Sequence, residues 1–349
     1  MIAYPFENPP APGETLEVAP GVFWLRMPLP FKPDHINLWL LRDDDAAGPG
    51  WTIVDTGYAV DLTRSLWDQH FAAILKGSPV KRVIVTHFHP DHVGCARWLS
   101  EKTSAMVWMT AGEFLSAHAA HADVAGFERA NTGRLFMKHG LAKILSAPPS
   151  PTHDPRADAS GPEKRDTPVP NAYRRIVDGE VISIGKHRWQ INVTLGHAPE
   201  HATLVCLDAP VMVAGDQILP TITPNISVWG NQPESNPLQQ YLASLDMFLP
   251  LPENTLVLPS HGRVFRGLHA RIDALKKHHV EKLEELAQAL SEPRCAADIL
   301  PVLFKRPLGE FERILAMGEA IAHLHWLMFE GRARRLVDDK GFISFQRQN

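Results

Sequence analysis

Cysteine is scarce. The chain of 349 residues has three, Cys95, Cys206 and Cys295, odd in number and far apart. They offer neither a CxxC zinc knuckle nor a disulfide framework, and they fit buried thiols in a reducing compartment. Long apolar runs are also missing, and nothing approaches the ~20 residues of a membrane span. Met1 to Pro20 carries acids and prolines in place of a basic stretch followed by an apolar run, which argues against a secretory signal. Charge of one sign is not in excess. The net charge is -4, so no global field recruits nucleic acid or an anionic membrane. These absences predict a soluble, cytoplasmic protein with no membrane partner. There is no internal repeat.

Histidine, by contrast, is abundant, with 18 residues. It is the commonest transition-metal ligand and the usual proton carrier near neutral pH. The first half of the chain reads as strands mixed with helices. Val22–Met27, His35–Arg42, Trp51–Asp55, Arg82–Thr86 and Ala105–Met109 are strand-like. Asp61–Lys76 and Gly94–Glu101 have helical spacing. Ala111–Leu145 reads as mostly helical and passes into a proline-dense stretch, 147–170. The whole of 111–170 is expected to be an insertion and a candidate lid. Short strands resume at Val181–Ile184, Trp189–Thr194, Ala202–Leu207 and Val211–Ala214. A helix opening at Asn236-Pro237 and a strand at Thr255–Leu258 follow. The tail then predicts a long amphipathic helix from Val264 to Leu290, two more helices at Ala296–Phe304 and Phe311–Glu330, and a terminal hairpin. The expected division is a catalytic domain over 1–264 and a winged-helix-like module over 265–349.

The strongest signal is Thr86-His87-Phe88-His89-Pro90-Asp91-His92, with four potential ligands directly after a strand. In an extended or tightly turned segment His87 and His89 point to one side and share an ion, while Asp91 and His92 reach a second. Imidazole and carboxylate suit zinc, manganese or iron better than calcium. Four further short motifs follow the same rule of closing an apparent strand: Asp55 in Val-Asp-Thr-Gly, His197 in Leu-Gly-His-Ala-Pro-Glu-His, Asp216 in Ala-Gly-Asp, and His261 in Pro-Ser-His-Gly.

These five motifs, in this order, resemble the metallo-β-lactamase superfamily over most of the first 265 residues. The resemblance implies an αββα sandwich with the metals at one edge of its two sheets. It implies that His87, His89 and His197 bind a first metal, that Asp91, His92 and His261 bind a second, and that Asp216 bridges them. Asp55 would hold the metal loop by hydrogen bonds from outside the ligand shell. Two Zn2+ per chain are expected, with iron or manganese as alternatives, and Asp91 is the expected catalytic carboxylate. Two adjacent cations repel, so a fixed anion between them is needed, and together they lower the pKa of water towards neutrality. Some β-lactamases of the family place cysteine where this chain has Asp216. The carboxylate points instead to glyoxalase II-like thioesterases, lactonases and nucleases.

The expected function is hydrolysis of an ester, thioester or lactone of a small-molecule substrate, by a chain that forms a homodimer or acts alone. Phe114, Phe127, Leu135, Phe136 and Met137 are either a substrate pocket or helical core. The alternative is a nuclease cleaving RNA phosphodiesters, with Arg263, Arg266, Arg271, Lys276, Lys277, Arg332, Arg334 and Arg335 as phosphate contacts. A di-iron redox enzyme and a DNA-binding protein using the tail alone are weaker readings. His201 reads equally as a packed histidine or a site residue. His118, His121, His139, His153, His278, His279, His323 and His325 read as surface or packing, and Asp43-Asp44-Asp45 as a solvated turn.

Overall fold

The computed structural model describes residues 1–145 and 167–348. They divide into two compact units. The first comprises Met1–Ala122, Thr167–Pro224 and Tyr241–Leu275. The second comprises the described parts of Asp123–Asp166, Asn225–Gln240 and Lys276–Asn349.

In the first unit seven strands lie side by side in chain order: β1 (Thr15–Ala19), β2 (Val22–Pro28), β3 (His35–Arg42), β4 (Trp51–Val54), β5 (Val80–Ile84), β6 (Met106–Met109) and β7 (Arg174–Arg175). β1 to β4 pair antiparallel, and β4 to β7 pair parallel. The parallel crossovers carry helices, as parallel pairing requires: α1 (Asp61–His70), the short α2 (Pro90–Val93), α3 (Ala96–Thr103) and α4 (Ala111–Ala122). A second sheet has β8 (Val181–Ile184), β9 (His187–Thr194), β10 (His201–Cys206), β11 (Val211–Gly215) and β12 (Leu256–Pro259) in the order β12-β11-β10-β9-β8.

Alternation along β3 shows why the layers form. Leu38 and Leu40 join Leu25, Ile53, Leu66, Trp67, Leu99 and Phe114 in a core between the first sheet and its helices. Trp39 and Leu41 point the other way, joining Trp24, Val54 and Ile84 with Ile191, Leu204, Val213 and Leu258 of the second sheet. A strand buried on both faces reads as a nearly continuous apolar run, and β3 does. α6 (Pro237–Leu245) and the first turns of α7 (Leu268–Ala289) bury Tyr241, Leu245, Leu268 and Ile272. The result is the αββα sandwich that the motifs imply.

Two local expectations need correction. The helix expected over 61–76 is α-helical only to His70, then passes into a π turn at Phe71–Leu75 and stops at Lys76 in the left-handed region. Asp43 is no solvated turn residue. It is buried, accepts bonds from Thr52 Oγ1 (2.6 Å) and Gly185 N (2.9 Å), and pairs with Arg82 at 3.0 Å. A buried carboxylate is tolerable only when satisfied in this way.

The segment 111–170 is not one body. α4 counts with the first unit, and α5 (Arg129–Lys138) with the second. Phe114 stacks on Tyr173 at 3.7 Å between ring centroids in one core, while Phe136 lies 6.1 Å from Trp229 in the other. Most of the proline-dense stretch, and His153, fall outside the described residues. The second unit adds α8 (Ala296–Leu303), α9 (Glu310–Phe329) and a hairpin of β13 (Ala333–Val337) and β14 (Ile343–Arg347); with α7, of which the part from Lys276 onward counts with this unit, these are the three helices and hairpin read from the tail. Among the described residues no helix is long and apolar enough to cross a membrane.

Among its described residues the second unit buries four histidines: His139, His279, His323 and His325. Burial lowers all four, with the other histidines as a further cause for His279, which falls to about 2; His323 falls to about 4 and His139 to about 3. Each must fold neutral, so its contribution is present above the unfolded value of about 6.5 and is lost as pH falls below it. Stability towards urea should therefore drop between pH 7 and pH 5. His323→Leu should remove up to about 1.4 kcal/mol per pH unit of that slope. An unchanged slope in the variant would contradict this account.

Candidate metal centre

The five motifs meet because strands end together. β4 delivers Asp55, β5 the His87–His92 loop, β11 Asp216 and β12 His261, while His197 sits in the turn between β9 and β10. Backbone bonds lock the two sheets here, Ala202 N to Thr86 O (2.9 Å) and Asn37 N to Ser260 O (2.7 Å), while Ser260 N to Gly215 O (3.0 Å) ties β11 to the end of β12. Ligand loops beyond the carboxyl ends of strands are the usual arrangement in α/β sheets.

Two sets of donors result. His87, His89, His197 and Asp216 form one, and Asp91, His92 and His261 the other, with the donor atoms of each set within 4.8 Å of one another. In the first, His87 Nε2 lies 2.9 Å from His89 Nδ1 and 3.3 Å from His197 Nε2. In the second, Asp91 Oδ2 lies 3.4 Å from His261 Nε2 and 3.7 Å from His92 Nε2. Asp216 faces both sets. Its Oδ2 is 3.4 Å from His197 Nε2, and its Oδ1 is 3.5 Å from both His92 Nε2 and His261 Nε2.

The electrostatics divide in the same way. Burial, then the surrounding imidazoles, push His87 well below its ordinary value, and burial takes His89 down to about 3. Burial also works against charge on His92 and His261. The carboxylates outweigh it, Asp55 foremost for His92 and Asp216 for His261, so His92 is raised well above its ordinary value and His261 to about 10. Burial opposes ionisation of Asp216 as well, yet His261 and His92 hold its carboxyl well below the usual range. A cation entering the second set would displace those protons.

The donor set fits a divalent metal. Among the described residues, His92 Nε2 and Asp216 Oδ1 are buried without a hydrogen-bond partner. Leaving such atoms unsatisfied costs about 1–3 kcal/mol each, and a cation between them would remove that cost. Imidazole and carboxylate donors favour zinc, iron or manganese over calcium.

Other residues aim these donors. Asp55, in the left-handed region at φ 62°, accepts from Thr86 N (2.8 Å) and Thr86 Oγ1 (2.9 Å), and its Oδ2 takes His92 Nδ1 at 2.8 Å. That bond places the His92 proton on Nδ1 and leaves Nε2 for the site, a carboxylate–histidine pairing typical of metal ligands. His261 is fixed similarly, its Nδ1 donating to His35 O at 2.8 Å, while His35 Nε2 accepts from Gly262 N at 2.8 Å. His201, open in the sequence reading, is fully buried, and its Nε2 accepts the Asp216 N–H at 3.1 Å. Gly215 is required beside it, because a Cβ there would lie 2.4 Å from His201 Nε2. Spacing signalled none of the roles of Thr86, His35 and His201, since their partners are distant in the chain.

A family model described as metallo-beta-lactamase superfamily matches residues 32–261. The chain belongs to that superfamily. A second model, the metallo-beta-lactamase-like C-terminal domain, matches residues 283–348 of this superfamily member. A crystal structure of a beta-lactamase domain protein from Burkholderia ambifaria is 42% identical, covers 99% of this chain and 98% of its own, and superposes with a TM-score of 0.88. A metallo-beta-lactamase family protein from Thermus thermophilus, TTHA1429, is 28% identical over 95% of this chain and 100% of its own, with a TM-score of 0.78. The probable metallo-hydrolase YqjP of Bacillus subtilis (strain 168) is 25% identical over 323 residues, 88% of this chain and 92% of its own.

Asp55→Asn should lower metal affinity about 10- to 100-fold, because the amide cannot accept from both Thr86 and His92. Competition against a chelator measures it. Wild-type affinity in a folded variant would show that His92 needs no such partner.

Proposed function

We propose that this protein is a binuclear, metal-dependent hydrolase that uses zinc to cleave an ester, thioester or lactone in a small molecule. The observation that carries it is the position of Asp216, with one oxygen towards each donor set. A carboxylate so placed offsets the repulsion between two cations. The family membership and the likeness to a probable metallo-hydrolase support hydrolysis.

When bound, a pair of divalent ions supplies Lewis acidity, making water nucleophilic near neutral pH and polarising the scissile bond. The chain does the rest. His87, His89 and His197 hold one side, and Asp91, His92 and His261 the other. Asp55 keeps the His92 proton on Nδ1. Asp91 keeps 14% of its side chain exposed and lies 3.4 Å from His261 Nε2.

The arginines of the tail support a small-molecule substrate over RNA. Arg332 pairs with Glu284 at 2.8 Å and Arg335 with Glu234 at 2.7 Å. Arg271 donates to the Leu219 and Ile222 carbonyls at 2.6 and 2.7 Å. Guanidiniums so engaged are poor phosphate contacts.

Zinc-loaded protein should hydrolyse members of a panel of thioesters, esters and lactones and leave RNA and a model phosphodiester intact. Cleavage confined to the phosphodiester or RNA would overturn the substrate class. Asp216→Asn should lose about one ion per chain and reduce the rate about 100-fold or more, as loss of an orienting or ligating group does at such sites. A variant with full metal content and normal rate would rule out the bridging role.

A further inference from the structure

The first-turn residue Glu113 of α4 is fully buried, yet no motif marks it. Its two oxygens go to two different stretches of backbone. Oε2 accepts from Phe88 N at 2.8 Å, and Oε1 accepts from Glu200 N at 2.6 Å. Phe88 lies between His87 and His89. Glu200 lies between His197 and His201. One side chain therefore ties together the two segments that present His87, His89 and His197, and it grips the segment whose His201 receives the Asp216 N–H.

The grip is reciprocal. Glu200 Oε2 accepts from Gly112 N at 2.7 Å, in the first turn of α4, and Glu200 O accepts from Thr110 Oγ1 at 2.9 Å. A carboxylate at a helix N-terminus is favoured by the unpaired N–H groups there. A Cβ at Gly112 would come within 2.9 Å of the Glu200 carboxylate, so the absence of a side chain lets the two segments close. Each glutamate holds the backbone of the other's segment.

We propose that Glu113 is a positioning residue for the first metal set: its carboxylate, braced by Glu200, sets the spacing between the His87–His89 loop and the His197 turn. This rests on the reading of those histidines as metal ligands. Both oxygens receive an N–H, and these two bonds work against the burial that raises the carboxyl to about 7. Glutamine keeps the size but turns an NH2 towards one of the two N–H groups. It must forfeit that bond. Alanine forfeits both bonds.

The test is titration of the metal-free full-length chain with Co2+ alone, read by visible absorption and by competition with a chelator, with far-UV circular dichroism as the check on folding. Glu113→Gln should weaken binding of the first equivalent about 10- to 100-fold and alter the cobalt spectrum, because the imidazole geometry changes. Glu113→Ala should weaken it further, and where that variant does not fold, Glu113→Gln decides. Glu101→Gln, at an exposed carboxylate that pairs with Arg97, should match the wild type. A folded Glu113→Gln chain with wild-type cobalt affinity and spectrum would overturn the brace alone. A wild-type chain that binds no cobalt would overturn the metal-centre reading on which it rests.

Discussion

A carboxylate buried between two sets of imidazoles is the constraint around which this molecule is organised. Asp216 is almost fully enclosed, and its charge is held by His92 and His261 on one side while His197 faces it on the other. Removing an ionised group from water is costly unless partners surround it. Here the partners come from separate strand ends and turns, so the anion can exist only where those segments converge. The imidazoles around His87 repel one another once protonated, and a shared cation is the natural relief for a cluster of this composition.

Convergence of that kind needs rigid supports. Two stacked sheets provide them, their inner faces filled by Trp24, Trp39, Ile191 and Leu204. Backbone bonds between Ala202 and Thr86, and between Asn37 and Ser260, join the sheets at the site's edge. Around the candidate donors lies a layer of residues that aim them: Asp55 and Thr86 at His92, His35 at His261, His201 at the Asp216 backbone. In a metal site such outer partners set orientation and affinity together. The strained backbone of Asp55 belongs to this layer, since its left-handed conformation is retained where the side chain satisfies three donors.

Much of this was legible in the chain. Each of the five motifs closes a short apolar run, and strand ends are where α/β sheets gather function, so the seven candidate ligands could be named, while their division into two sets is what the family resemblance implies. The tail's helices and hairpin were legible from apolar spacing. What escaped the reading depends on contacts between distant segments. Glu113 meets Glu200 across 87 positions, and nothing local marks it. Asp43 looked like part of an acidic turn because its partners, Arg82 and Gly185, lie far along the chain. The segment 111–170 reads as one insertion by composition, yet its helices pack into different cores, a fact that only tertiary contact determines.

The central claim is that two ions share Asp216. It is tested most directly by titrating the metal-free chain with Zn2+ in a calorimeter and confirming the bound metal by elemental analysis. The account predicts saturation at two equivalents per chain. Saturation at one equivalent, or no binding, would contradict it.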